Sequence, residues 1–280
     1  MRKALLLALA LGACVADEGF ERARRRPIVG GQAEAGYPAV GMVDLGGAAC
    51  TGTLIAPRVV ISAKHCLSEG MQPEDIEFRT GRLGDVSSGR GIALFYEGGL
   101  DGEGHGEGNL PDGFVNEYTD FFAMTLDRAP PIEPAPYRRT PIGQDRNRQP
   151  GFIVGYGLTA AEGGTSGEKR SGPATISAVQ QNHPIIVTSR AADEATGCWG
   201  DSGGPLFSDG QVAGVMTYFE NVERPCDAGG RYIQVGEFAD LIDQAIRAAE
   251  QDGGEDGRRD DGGGGGREGG GREGGGREGG

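Results

Sequence analysis

The chain has 280 residues, 54 of them glycine, with 37% hydrophobic content and a formal charge of −14 at pH 7. That length allows one large or two small domains, and glycine accounts for much of the low apolar share. So acidic a balance argues against nucleic acid or an anionic membrane surface as the main partner, because both need basic patches.

At the N-terminus Arg2 and Lys3 precede a short apolar run at residues 4–13. The run is far below the ~20 residues of a membrane span and has the make-up of a secretory signal. Leu11-Gly12-Ala13-Cys14 has the form of a bacterial lipobox, in which cleavage before Cys14 leaves that cysteine to carry acyl chains. Two such chains suffice for stable anchoring. The alternative is an ordinary signal cut after Ala16. Residues 1–16 are therefore expected to export the chain as an outer-membrane or cell-surface lipoprotein, with a secreted or periplasmic protein as the alternative. Residues 17–27 are polar, include Arg22, Arg24, Arg25 and Arg26, and read as a propeptide or tether.

From residue 28 the pattern turns β-rich. Short apolar runs at 40–45, 51–55, 59–61 and 92–96 are separated by Gly, Pro and Asp. The second half repeats the style at 151–154, 175–179, 185–189, 205–207, 212–219 and 232–235. This spacing predicts an all-β barrel or sandwich. Between them, residues 97–109 alternate acids with glycines. Such a stretch could offer oxygen ligands to calcium, but no fixed ligand spacing is present, so a solvated loop carrying His105 is the better reading. His183 reads as a turn residue before a strand. Residues 238–247 carry apolar side chains at helical spacing and predict a terminal helix, expected to pack on the second half of the domain. Beyond it, residues 250–280 pass into a Gly-Gly-Gly-Arg-Glu repeat with no apolar side chain to bury, and are expected to be disordered. The folded domain is thus expected at 28–249.

Gly200-Asp201-Ser202-Gly203-Gly204-Pro205 is either a surface turn or a nucleophile on a tight loop. In the second case the glycines let backbone N–H groups converge on a developing oxyanion. A serine hydroxyl needs a base, and the base an orienting acid. Only three histidines are present. His65 ends an apolar run, and Asp120 opens another. The order is then His, Asp, Ser. Four cysteines besides Cys14 remain: Cys50, Cys66, Cys198 and Cys226. An even number in an exported chain suggests disulfides in one of three connectivities. Zinc is disfavoured, since no C-x-x-C pair occurs.

With Ile28-Val29-Gly30-Gly31, Ser62-Ala63-Lys64-His65-Cys66, Asp120 with its strand, Val154-Gly155-Tyr156-Gly157 and Gly200 to Pro205 in this order, the chain resembles the trypsin/chymotrypsin-like serine proteases. The resemblance implies two six-stranded antiparallel β-barrels with a C-terminal helix, no cofactor, and protein or peptide substrates. It implies that Ser202 is the nucleophile, His65 the base and Asp120 its orienting acid, with the N–H groups of Gly200 and Ser202 as the oxyanion hole. It pairs Cys50 with Cys66 and Cys198 with Cys226. It assigns Thr217 to a family serine whose hydroxyl helps hold the aspartate. It also implies activation: a protease cuts before Ile28, and the freed amine pairs with Asp201. Pro27 departs from the basic residue usual at that cut. Lys64 departs from the small residue usual before the histidine, and is expected to point outward.

For specificity, the resemblance sets Thr196 at the pocket base, where arginine/lysine cutters carry aspartate. Phe219 falls where glycine is usual, and Gly230 lines the far wall. A neutral, shortened slot implies a small or medium apolar residue before the scissile bond. Two rival readings are a catalytically silent homologue serving as a surface-binding module, and a regulatory homologue activated only by a partner.

Overall fold

A computed structural model describes residues 28–98 and 117–256. The signal and lipobox with Cys14, the Arg-rich stretch, most of the acid–glycine loop with His105, and the repeat tail lie outside the described residues.

Six strands of the first half close into a barrel: β2 (Val40–Asp44), β3 (Ala49–Ala56), β4 (Val59–Ser62), β5 (Glu77–Thr80), β6 (Val86–Tyr96) and β7 (Phe122–Leu126), in the order β2-β3-β4-β7-β6-β5. Pairing of β2 with β5 makes the closure, Val43 lying opposite Phe78. Six strands of the second half do the same: β8 (Pro150–Gly155), β9 (Arg170–Val179), β10 (Ile185–Ser189), β11 (Pro205–Ser208), β12 (Gln211–Phe219) and β13 (Gly230–Gln234). They run β9-β10-β13-β12-β11-β8, and β8 returns to β9. A short β1 (Gln32–Ala33) adds to the outside of β9. Every pairing between these strands is antiparallel, and closure leaves few edges open to association.

Val40, Leu54, Val60, Phe78, Phe122 and Met124 are fully buried in the core of the first barrel. Ile153, Ile176, Ile186, Leu206, Met216 and Tyr232 gather in a second cluster from the strands of the other. Each such side chain contributes roughly 1.5–3 kcal/mol of burial. β5 escapes an apolar-run reading because only Phe78 in Glu77-Phe78-Arg79-Thr80 is strongly apolar, yet the strand alternates outward and inward as the pleat requires.

Val235, expected in a strand, instead opens a 3-10 turn (Val235–Phe238) that leads into helix α1 (Ala239–Asp256). The helix packs on β4, β6 and β7 of the first barrel, not on the second as expected, and it outruns the expected domain end at 249. Arg58 secures that extension, donating to the Leu126 carbonyl at 2.7 Å, to the Ala249 carbonyl at 3.2 Å and to Asp252 at 2.5 Å. Among the described residues no helix is long and apolar enough to cross a membrane.

Candidate active site

His65 and Asp120 meet because of strand register. β4 and β7 pair with Ser62 opposite Phe122. The 3-10 turn leaving β4 (Lys64–Cys66) and the residue entering β7 therefore emerge at the same end. Asp120 is buried there. Its Oδ1 accepts the His65 backbone N–H at 2.8 Å, and its Oδ2 lies 2.7 Å from His65 Nδ1. Two-point contact fixes the rotation of the ring as well as its distance. Next to Asp120, Phe121 stacks on Phe238 at 4.4 Å, which ties this corner to the start of the terminal helix. Burial opposes protonation of His65, but the charge of Asp120 and its hydrogen bond outweigh it, so the imidazole pKa is raised above its ordinary value. The His65 side chain keeps 32% of its surface exposed, so the ring remains reachable.

Ser202 lies on the loop between β10 and β11. The loop presses on the first barrel beside the histidine turn. A side chain at Gly203 would collide with Ser62 Oγ, with the Thr51 carbonyl and with Ala63 N, so only glycine allows that approach. Thr51 donates its N–H to the Ser202 carbonyl at 2.8 Å, and Ser62 Oγ donates to the Thr51 carbonyl at 2.8 Å. Cys50 and Cys66 form one disulfide, Cα–Cα 6.4 Å, and Cys198 and Cys226 another, Cα–Cα 4.5 Å. The first ties β3 to the histidine turn. The second ties the serine loop to the segment before β13. Each closure contributes about 2–4 kcal/mol. The Cys50 and Cys66 sulfurs also lie within 4.8 Å of a His65 ring nitrogen. Bonded to each other, they offer no thiolate to a metal.

Asp201 is buried and points away from the loop surface. It accepts the N–H of Gly157 and of Cys198, each at 2.8 Å. Burial pushes its carboxyl up to about 7 against those two hydrogen bonds. Any side chain at Gly157 would strike this carboxyl, which accounts for the glycine in the Val154-Gly155-Tyr156-Gly157 turn. Ile28 is buried too, and lines with Asp201, Met216 and Tyr232 a cavity of about 10 Å³.

Thr196 is buried, its N–H donating to the Val29 carbonyl at 3.0 Å and its hydroxyl accepting the Gly229 N–H at 3.2 Å. Phe219 sits opposite Gly230 in the β12–β13 register. The ring of Phe219 meets Trp199 edge to face, centroids 5.3 Å apart, with Trp199 46% exposed. Sequence reasoning passed over Trp199, although an aromatic directly before Gly200 was a visible signal.

Two expectations are corrected. Lys64 does not point outward: it is 2% exposed, and its Nζ donates to the Glu97 carbonyl at 2.5 Å and lies 3.5 Å from Thr119 Oγ1. The end of β6 and the turn carrying Asp120 supply carbonyl and hydroxyl oxygens inside, so the ammonium is solvated by protein. Thr217 is buried where the β12–β13 register shifts, but among the described residues no hydrogen bond joins it to Asp120, whose two oxygens are both engaged by His65. His183 lies in the bend before β10, as read, and stacks on Tyr118 at 4.4 Å.

Two closed antiparallel barrels, a disulfide beside the histidine turn and another beside the serine loop define the chymotrypsin-like fold class. A family model described as Trypsin matches residues 28–242, and the chain belongs to the trypsin family; it is a serine endopeptidase. Among similar proteins, a trypsin from Saccharopolyspora erythraea is 28% identical over 222 residues, covering 71% of this chain and 87% of that protein. Neutrophil elastase from Mus musculus is 26% identical over 271 residues, covering 88% of this chain and 89% of that protein. A solved structure of a mutant human heparin binding protein superposes with a TM-score of 0.63 at 20% identity, over 78% of this chain and 96% of the other; that likeness shows the fold alone.

Proposed function

We propose that this endopeptidase works through Ser202, His65 and Asp120 by way of an acyl-enzyme. Ser202 Oγ bonds to the scissile carbonyl carbon while its proton passes to His65 Nε2. The carbonyl oxygen becomes an oxyanion facing the N–H groups of Gly200 and Ser202. Collapse breaks the C–N bond as His65 returns the proton to the leaving amine. Water then repeats the sequence, and its attack releases the acid and restores Ser202. Asp120 keeps the Nδ1 proton in place and stabilises the imidazolium. The observation that carries this reading is the two-point grip of Asp120 on His65. It commits the donor proton to Nδ1 and leaves Nε2 as the base.

The reading extends to the ends of the chain. Residues 1–16 direct export, with Cys14 lipidated. Residues 17–27 are removed by an activating protease that cuts at Pro27, or by a first cut upstream followed by trimming. The amine so freed on Ile28 pairs with Asp201. Residues 28–249 are the protease domain and 250–280 an appended tail.

The substrate preference follows from the slot. Thr196 presents no charge to a basic side chain, and its hydroxyl is already engaged by Gly229 N–H. Phe219, which the resemblance sets where glycine is usual, meets Trp199 edge to face, and this pair supports a slot too short for a large residue. A small apolar residue before the scissile bond is the expected substrate. The same contact supports the rival reading of a silent homologue, because a closed slot suits a binding module equally. A peptide library varied at that residue separates them. Cleavage after Ala or Val is expected to exceed cleavage after Arg or Phe by at least about tenfold, given ~1–3 kcal/mol per misfit in an apolar pocket. Phe219→Gly is expected to open the slot to larger residues. Cleavage after Arg would discard the pocket assignment, and no Ser202-dependent cleavage at all would favour the silent homologue.

A further inference from the structure

An oxyanion hole needs two N–H groups held outward with nothing else to bind, on a loop whose glycines would otherwise let it turn over. The peptide groups of residues 199–203 show how this chain holds them. All four carbonyls from 199 to 202 are engaged. Trp199 O accepts Leu158 N–H at 2.8 Å, Asp201 O accepts Gly204 N–H at 2.8 Å, and Ser202 O accepts Thr51 N–H at 2.8 Å. Gly200 O accepts the Thr51 hydroxyl at 2.9 Å. Two N–H groups are also engaged: Asp201 N–H donates to Cys198 O at 3.0 Å and Gly203 N–H to Met216 O at 2.8 Å. Among the described residues, the N–H groups of Gly200 and Ser202 donate to none.

Thr51 supplies two of those four carbonyl anchors, and it belongs to the other barrel. We infer that Thr51 is a positioning residue for catalysis: its hydroxyl, held between Tyr156 N–H and the Gly200 carbonyl, fixes the loop with both oxyanion donors turned outward. The hydroxyl is directional because it accepts Tyr156 N–H at 3.1 Å, which sends its one proton to Gly200 O. It is fully buried, so water cannot replace it. Gly200 sits at φ +92°, in the region where only glycine is at ease, and its remaining freedom is what the hydroxyl removes. Tyr156 belongs to the turn whose Gly157 binds Asp201, so one hydroxyl joins the oxyanion loop to the support beneath Asp201.

This inference rests on the proposed function and is tested in the full chain cut before Ile28, with rates expressed per Ser202 labelled by a fluorophosphonate. Thr51→Val keeps the branched shape and deletes the hydroxyl. It is expected to lower kcat about 10- to 100-fold, short of losing an oxyanion donor outright, with KM within about threefold. Binding of a peptide boronate, which carries the tetrahedral charge, is expected to weaken in parallel. Thr51→Ser restores the hydroxyl and is expected to stay within about threefold of wild type in both. If Thr51→Val does not fold, Thr51→Ala against Thr51→Ser isolates the same hydroxyl. Equal kcat in wild type and Thr51→Val, or equal losses in the Ala and Ser variants, would overturn the inference while leaving the proposed function intact. Absence of Ser202-dependent hydrolysis in the wild type would overturn the proposed function and the inference with it.

Discussion

Asp120→Asn is expected to lower kcat by about 10⁴-fold with little change in stability, as loss of the acid does in comparable triads. The reason lies in tautomers. Asp120 Oδ2, 2.7 Å from Nδ1, can only accept, so the ring proton stays on Nδ1 and Nε2 has a lone pair for Ser202. An asparagine can turn its amide N–H₂ toward Nδ1, which moves the ring proton to Nε2 and removes the base. The backbone contact from His65 N–H to Oδ1 can persist through the amide oxygen, so the fold survives. The pH profile gives a second readout. His65 must be neutral to act, and its pKa is raised, so wild-type kcat/KM should rise through a midpoint above ~6.5. In the variant the opposing effect of burial is left without the carboxylate, and the residual activity should titrate at lower pH. An unchanged midpoint with unchanged kcat would show that Asp120 does not govern the ring.

Cutting the chain before Ile28 is expected to stabilise it most near pH 8, where Asp201 is ionised and the paired amine still holds its proton, and Asp201→Asn to abolish that gain. In the uncut chain the Ile28 nitrogen is an amide and carries no charge. Asp201 is buried, and its carboxyl is pushed up to about 7 from 3.8. The folded state then holds a proton that the unfolded chain has released. Its stability is undiminished below about pH 4, falls as pH rises between about 4 and 7, and is lowest above that window. A shift of this size corresponds to a penalty on the order of 4 kcal/mol at pH 8. A free Ile28 amine supplies a cation and brings the carboxyl back into its charged form, while Ile28 already shares a cavity with Asp201. Denaturation at pH 5 and pH 8, before and after the cut, checks this. The gain on cutting should be several kcal/mol at pH 8 and less than half as large at pH 5. Equal gains at both pH values would remove Asp201 from the activation switch.

Both barrels and the terminal helix were foreshadowed in the sequence, the apolar runs by their β spacing and the barrels through the family motifs. The missed β5 illustrates the limit. Phe78 alone anchors it, and its place is fixed by pairing with β2 and β6, which no local window contains. Likewise His65 and Asp120 could be named from their motifs, but their contact depends on Ser62 lying opposite Phe122 across 60 residues of chain. Lys64 was misjudged because lysine is seldom buried; the oxygens that receive it come from Glu97 and Thr119, distant in sequence. Thr51 carried no signal at all beside Cys50, since its role arises from a hydrogen bond across 149 positions to Gly200. Short motifs disclose chemistry where the residues lie together in the chain, and long-range packing decides how they are held.

The most direct test of the central claim is mass spectrometry of the cut protein after treatment with a peptidyl fluorophosphonate. The account predicts one adduct, on Ser202, formed in wild type and lost in Ser202→Ala, and slowed at least about 10³-fold in His65→Ala, which lacks the activating base. Absence of an adduct on Ser202, or equal labelling of wild type and His65→Ala, would contradict it.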